Sequence, residues 1–111
     1  MEEITWSEFE KVELRAGTIL TVQPFPEARK PAYKLTIDLG ESGIKRSSAQ
    51  ITALYKPEEL IGRQVVCVTN FANKQIGKFI SEVLVTGFPD VNGNIVLAKP
   101  EFNVPNGSRL F

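Results

Sequence analysis

Histidine is absent from this chain, and cysteine and tryptophan occur once each. Without an imidazole, the Ser-His-Asp and Cys-His nucleophilic arrangements are excluded and the commonest transition-metal ligand is missing. The single thiol, Cys67, has no partner for an internal disulfide, and its setting Val65-Val66-Cys67-Val68 makes it a buried strand residue rather than a nucleophile. No apolar run approaches the ~20 residues that cross a bilayer, and the acidic start Met1-Glu2-Glu3 is unlike a signal peptide. A cytoplasmic protein without membrane insertion is the expectation. Net charge is missing as well, with 13 basic against 13 acidic side chains, which excludes nonspecific coating of nucleic acid and leaves room only for a local basic patch. There is no phosphate-cradling glycine loop, no paired carboxylate in an apolar setting and no Cys/His cluster; Asp38 and Glu82 alternate with apolar strand neighbours and read as outward-facing. Neither catalysis nor a cofactor or metal is expected.

What is present is the patterning of a small all-β domain. The 111 residues, 42% of them hydrophobic, suffice for one core, so residues 1–111 are read as a single domain. Thr5-Trp6-Ser7-Glu8 fits a capping box opening a short helix to Lys11. Val12, Leu14 and Ala16, then Ile19, Leu20 and Val22, read as a long strand bent at Gly17. Pro24, Pro26 and Pro31 mark a stiff exposed loop, after which Tyr33, Leu35, Ile37 and Leu39 alternate with polar residues on a second strand. A third strand spans 44–51 beyond the Gly40–Gly43 turn, and Pro57-Glu58-Glu59-Leu60-Ile61-Gly62 is a short helix with proline at its start and glycine at its stop. Strands four (64–71) and five (82–87) follow, and Asn92-Gly93 predicts a two-residue hairpin folding 94–99 back on the fifth. Five strands with a helix between the third and fourth suggest the OB-fold, a five-stranded Greek-key barrel, here with an N-terminal helix and an extra C-terminal hairpin; Val104-Pro105-Asn106-Gly107 closes the domain.

Several segments, in order, are similar to one family. Glu13-Leu14-Arg15-Ala16-Gly17-Thr18-Ile19 resembles the opening strand of the tRNA-binding-domain family. Pro26-Glu27-Ala28-Arg29, Pro31-Ala32-Tyr33-Lys34-Leu35, Ser47-Ser48-Ala49-Gln50-Ile51-Thr52, Asn70-Phe71, Ser81-Glu82-Val83-Leu84-Val85 and Val104-Pro105-Asn106-Gly107 resemble its export-chaperone branch, CsaA. The resemblance implies an OB-fold homodimer whose parts outside the barrel, Trp6 and Phe9 at one end of the chain and Val104 and Pro105 at the other, help to pair the subunits. It implies binding of unfolded, export-competent preproteins and of the secretion ATPase SecA, with structured tRNA as the alternative ligand from the wider family. Ala72-Asn73 and Lys78 depart from the family pattern, so the connection before the fifth strand is expected to differ in shape.

Two groups of residues are candidates for binding. Arg29, Lys30, Lys34, Lys74 and Lys78, with Ser81 beside them, are candidate contacts for RNA phosphates or an acidic partner, unless they are only solvated lysines. Phe71, Ile76 and Phe79 sit among polar neighbours and either form an apolar pocket for an extended polypeptide or plug the barrel end. Tyr33 and Tyr55 are the aromatics available for base stacking, although Tyr33 shares the apolar face of its strand.

Overall fold

A computed structural model describes residues 1–111. The capping box forms as expected: Thr5 Oγ1 accepts from the Glu8 N–H at 3.1 Å and Glu8 Oε1 accepts from the Thr5 N–H at 3.1 Å, opening α1 (Trp6–Glu10). Beyond it, β1 (Leu14–Pro24), β2 (Tyr33–Asp38), β3 (Ile44–Ala49), β4 (Gln64–Val68) and β7 (Leu84–Val85) build one antiparallel sheet in the order β3-β2-β1-β4-β7. The sheet curls into a nearly closed five-stranded barrel of the OB type. Helix α2 (Pro57–Leu60) lies between β3 and β4, and its Leu60 is fully buried in the core cluster.

The period-2 pattern of the second strand explains the core. Leu35 and Ile37, with Leu39 just beyond the strand, face Ile19, Val65 and Cys67, all with almost no exposed surface. Such burial is worth roughly 1.5–3 kcal/mol per large aliphatic side chain. It also pushes the Cys67 thiol pKa up to about 12, the behaviour of an inert core residue.

Several local expectations are corrected. The irregularity in β1 falls between Ile19 and Thr21 rather than at Gly17. Gly17 serves close approach instead, since a Cβ there would lie 2.6 Å from Ile37 Cγ2 and 2.7 Å from Leu39 Cδ2. The proline-rich loop after β1 is not wholly exposed, because Phe25 is only 4% exposed. The connection before the fifth strand, where Ala72-Asn73 and Lys78 depart from the family pattern, is a hairpin of β5 (Lys74–Ile76) and β6 (Phe79–Ser81). Its turn has positive φ at Gly77 and not at Lys78, the pattern of a type II′ turn. The fifth strand itself changes partner at Thr86: the Thr86 N–H donates to the Val66 carbonyl while its own carbonyl accepts from Ala98. There β7 ends and β8 (Gly87–Pro89) pairs with β9 (Ile95–Leu97). The Asn92-Gly93 hairpin exists, but with positive φ only at Gly93 and Asp90 Oδ1 accepting from the N–H groups of Asn92 and Asn94, so it is a longer loop than the two-residue type.

The tail closes the domain through β1. Ala16 and Leu14 exchange backbone hydrogen bonds with Gly107, Ser108 and Leu110, and Asn106 Oδ1 accepts from Thr18 Oγ1 at 2.8 Å and Gln64 Nε2 at 3.1 Å.

Candidate binding groove

The two end strands of the curled sheet, β3 and β7, do not pair with each other. Between them runs a seam that side chains close for part of its length. The Arg46 carbonyl accepts from the N–H groups of Glu82 and Val83 at 2.8 and 3.3 Å. Glu82 Oε1 accepts from the Arg46 backbone N–H at 3.0 Å and from its Nε at 3.2 Å, and the Ser81 hydroxyl accepts from the Ser48 N–H at 3.1 Å. Partial burial works against the charged Glu82, yet the hydrogen bonds and charge of Arg46 outweigh it and hold the carboxyl below its ordinary value. Two side chains thus stand where a neighbouring strand would be, one way a sheet edge is covered.

Beyond Ser48 the seam opens into a groove of ≈ 640 Å³, lined by 15 residues of which 8 are hydrophobic. Its walls come from Ala49, Gln50 and Ile51 on one side and Val83 to Gly87 on the other, with Phe71, Lys74, Ile76 and Ser81 at the hairpin end and Ile95 at the other. This is a size and lining suited to a ligand that is mostly apolar. Phe71 is 58% exposed, an apolar ring held at the surface where a core residue would be covered.

The groove brings together Phe71 and Ile76, and the structure places Phe79 elsewhere. Phe79 packs edge-on against Phe25 at 5.4 Å between ring centroids, and Lys34 Nζ lies 5.2 Å and 6.0 Å from the two rings. The Lys34 ammonium is thereby engaged with aromatic faces. The same contact joins the loop carrying Arg29 and Lys30, both exposed, to the hairpin carrying the exposed Lys74 and Lys78. Tyr33 and Tyr55 are taken up by the fold: the Tyr33 hydroxyl donates to the Tyr55 carbonyl at 2.9 Å and the Tyr55 hydroxyl accepts from the Leu97 N–H at 3.0 Å. Trp6 packs against Phe9 with its ring tilted at 5.6 Å between centroids but stays 64% exposed, so the barrel does not cover it. Val104 and Pro105 are exposed as well.

The tRNA binding domain family matches residues 14–109, nearly the whole chain. This chain belongs to the tRNA-binding-domain family. Among curated members, the domain is 35% identical to a methionine–tRNA ligase of Bacillus anthracis over 98% of its own length, and 38% identical to that of Methanothrix thermoacetophila over 94%. It spans only 16% and 15% of those ligases. Solved structures match end to end. The domain superposes on the chaperone CsaA from Bacillus anthracis with a TM-score of 0.91 at 46% identity, covering 99% of this chain and 100% of the other. CsaA from Picrophilus torridus gives 0.91 at 45%, covering 98% and 100%.

Sequence reasoning missed the lining that comes from backbone-adjacent positions. Gln50, Ile51, Leu84 and Val85 read as ordinary strand residues, and only the curling of the sheet, which brings its two end strands β3 and β7 side by side, shows that they line one groove.

Proposed function

We propose that this domain is a non-enzymatic, chaperone-like binder that captures unfolded, export-competent polypeptide in the groove. The observation that carries this is the apolar groove at the open seam, with Phe71 exposed and Ile76 half-buried along it. Likeness to CsaA over the full length of both chains supports it. Burial of client side chains at roughly 25 cal/mol per Å² of apolar area supplies affinity. The cations Arg29, Lys30, Lys74 and Lys78 orient the client and favour acidic segments, a secretion ATPase such as SecA among them.

A homodimer is part of the proposal. Trp6 remains exposed beside Phe9, and Phe102 and Phe111 are 77% and 92% exposed, apolar side chains that pairing would cover. Trp6, Phe9, Val104 and Pro105 would lie in the pairing surface. A solution mass near the 12.3 kDa of one chain at micromolar concentration contradicts pairing.

The second reading, recognition of tRNA by its shape and phosphates, is favoured by the family itself and by the exposed cations Arg29, Lys30, Lys74 and Lys78. Parallel titrations with a denatured preprotein and with tRNA, each at two salt concentrations, decide between them. Client affinity that is nearly independent of salt and exceeds tRNA affinity supports capture of polypeptide. Tight, steeply salt-dependent binding of tRNA alone overturns it.

A further inference from the structure

We propose that Asn92-Gly93 is a site of spontaneous deamidation, and that the fold spares the chain's other Asn-Gly dipeptide, Asn106-Gly107. The reaction needs only solvent. The Gly93 main-chain nitrogen attacks the carbonyl carbon of the Asn92 side chain, its proton passing to solvent, and the bond to the side-chain nitrogen breaks so that ammonia leaves. Water then opens the five-membered succinimide. Addition at the side-chain carbonyl gives aspartate, and addition at the main-chain carbonyl gives isoaspartate, in which the backbone runs through one extra methylene. Glycine favours the attack because no Cβ hinders its nitrogen. Asn70, Asn73, Asn94 and Asn103 are each followed by a larger residue, Phe71, Lys74, Ile95 and Val104. The reactive dipeptides are therefore two, and the fold treats them differently.

At Asn106 both reacting groups are held. Its side-chain oxygen accepts from Thr18 Oγ1 at 2.8 Å and from Gln64 Nε2 at 3.1 Å, which fixes the carbonyl that would be attacked. The attacking nitrogen is engaged as well, since the Gly107 N–H donates to the Ala16 carbonyl at 2.7 Å where the tail is tied to β1. A Cβ at Gly107 would lie 2.6 Å from the Leu39 carbonyl oxygen, so the backbone there is tightly packed. Asn92 stands in the exposed loop joining β8 to β9, and its side chain makes no hydrogen bond within the chain. The Gly93 N–H donates to the Asp90 carbonyl at 3.0 Å, and nothing lies within 4 Å of where a Gly93 Cβ would be. One hydrogen bond in an exposed loop is all that must open. The product adds one carboxylate to the 13 acidic side chains and takes the net charge from zero to minus one. Isoaspartate places its extra methylene inside the loop that the Asp90 N–H closes on the Asn94 carbonyl at 2.8 Å, on the hairpin that brings Ile95 to the groove wall.

The test keeps the full chain in mildly alkaline buffer, folded and in guanidinium chloride, and follows both dipeptides by peptide mapping with mass spectrometry. In the folded protein Asn92 should convert at least about tenfold faster than Asn106, with isoaspartate the larger product. In denaturant the two rates should come within about threefold of each other, because the contacts that hold Asn106 are gone. Ion exchange of the folded sample should show one more acidic species accumulating, and Asn92→Ser should remove it. Equal rates at the two sites in the folded protein overturn the proposal, as does an unmodified Asn92 there over a time in which it converts in denaturant. Asn106 remaining slow in denaturant would place its protection in the local sequence rather than the fold, and overturns the proposal too.

Discussion

The two sides of the barrel are built differently. On one side β1 ladders with β4 through Leu14–Thr18 and with β2 through Thr18–Pro24, interrupted only by the bulge at Leu20, and the large aliphatic side chains they enclose are fully buried. On the other, β3 and β7 share no ladder, and β3 is held to the segment before β7 by Arg46 and Ser48 bonding to Ser81, Glu82 and Val83. The laddered wall gives stability, since its backbone groups are paired strand to strand around a buried aliphatic core. The seam leaves strand edge and apolar surface unsatisfied, which is what a binding surface for unfolded chains needs. Stability and binding are therefore expected to respond to different substitutions.

The largest effect should come from the laddered wall. Ile37→Ala, at a fully buried position, is expected to cost about 2–5 kcal/mol in urea unfolding. A loss below 1 kcal/mol would show that the wall is not the structural half. At the seam, Glu82→Ala removes the acceptor for the Arg46 N–H and should cost only about 1 kcal/mol, because Arg46 is half exposed.

Acid should reach the seam in a defined direction. The Glu82 carboxyl is held below its ordinary value of 4.5 by Arg46, so its contribution is complete above that pH and disappears as pH falls through the lower folded-state value. Unfolding measured from pH 6 downward should show a steeper loss for the native protein than for Glu82→Gln; parallel curves would mean the carboxylate does not hold the seam. The smallest effect is expected at Ser47, whose hydroxyl is buried without a hydrogen-bond partner. Ser47→Ala should be neutral or stabilising by up to about 1 kcal/mol, since a buried hydroxyl without a bond is a cost. Destabilisation in thermal melts would show that the hydroxyl has a partner in solution.

The laddered wall was legible in the sequence and the seam was not. Tyr33, Leu35, Ile37 and Leu39 announce a half-buried strand by their spacing alone, and Thr5 with Glu8 announces α1. Both are local signals. The bulge near Leu20, by contrast, is decided by the register of β1 against β2, and Gly17 owes its place to side chains on another strand. The groove depends on contacts far apart in the chain, such as Ser48 with Ser81 and Arg46 with Glu82. For the same reason Phe79 read as a pocket residue beside Ile76, although the pairing of β5 with β6 directs it onto Phe25 instead.

The account turns on the groove being where polypeptide binds, and the double substitution Phe71→Ala with Ile76→Ala tests that most directly. Both side chains are at least partly exposed, so the variant should stay folded. The affinity for a denatured preprotein, measured by titration beside the native chain, should drop at least about tenfold, with tRNA affinity unchanged, as apolar contact area is removed and no charge is altered. Undiminished affinity for the preprotein would contradict the account.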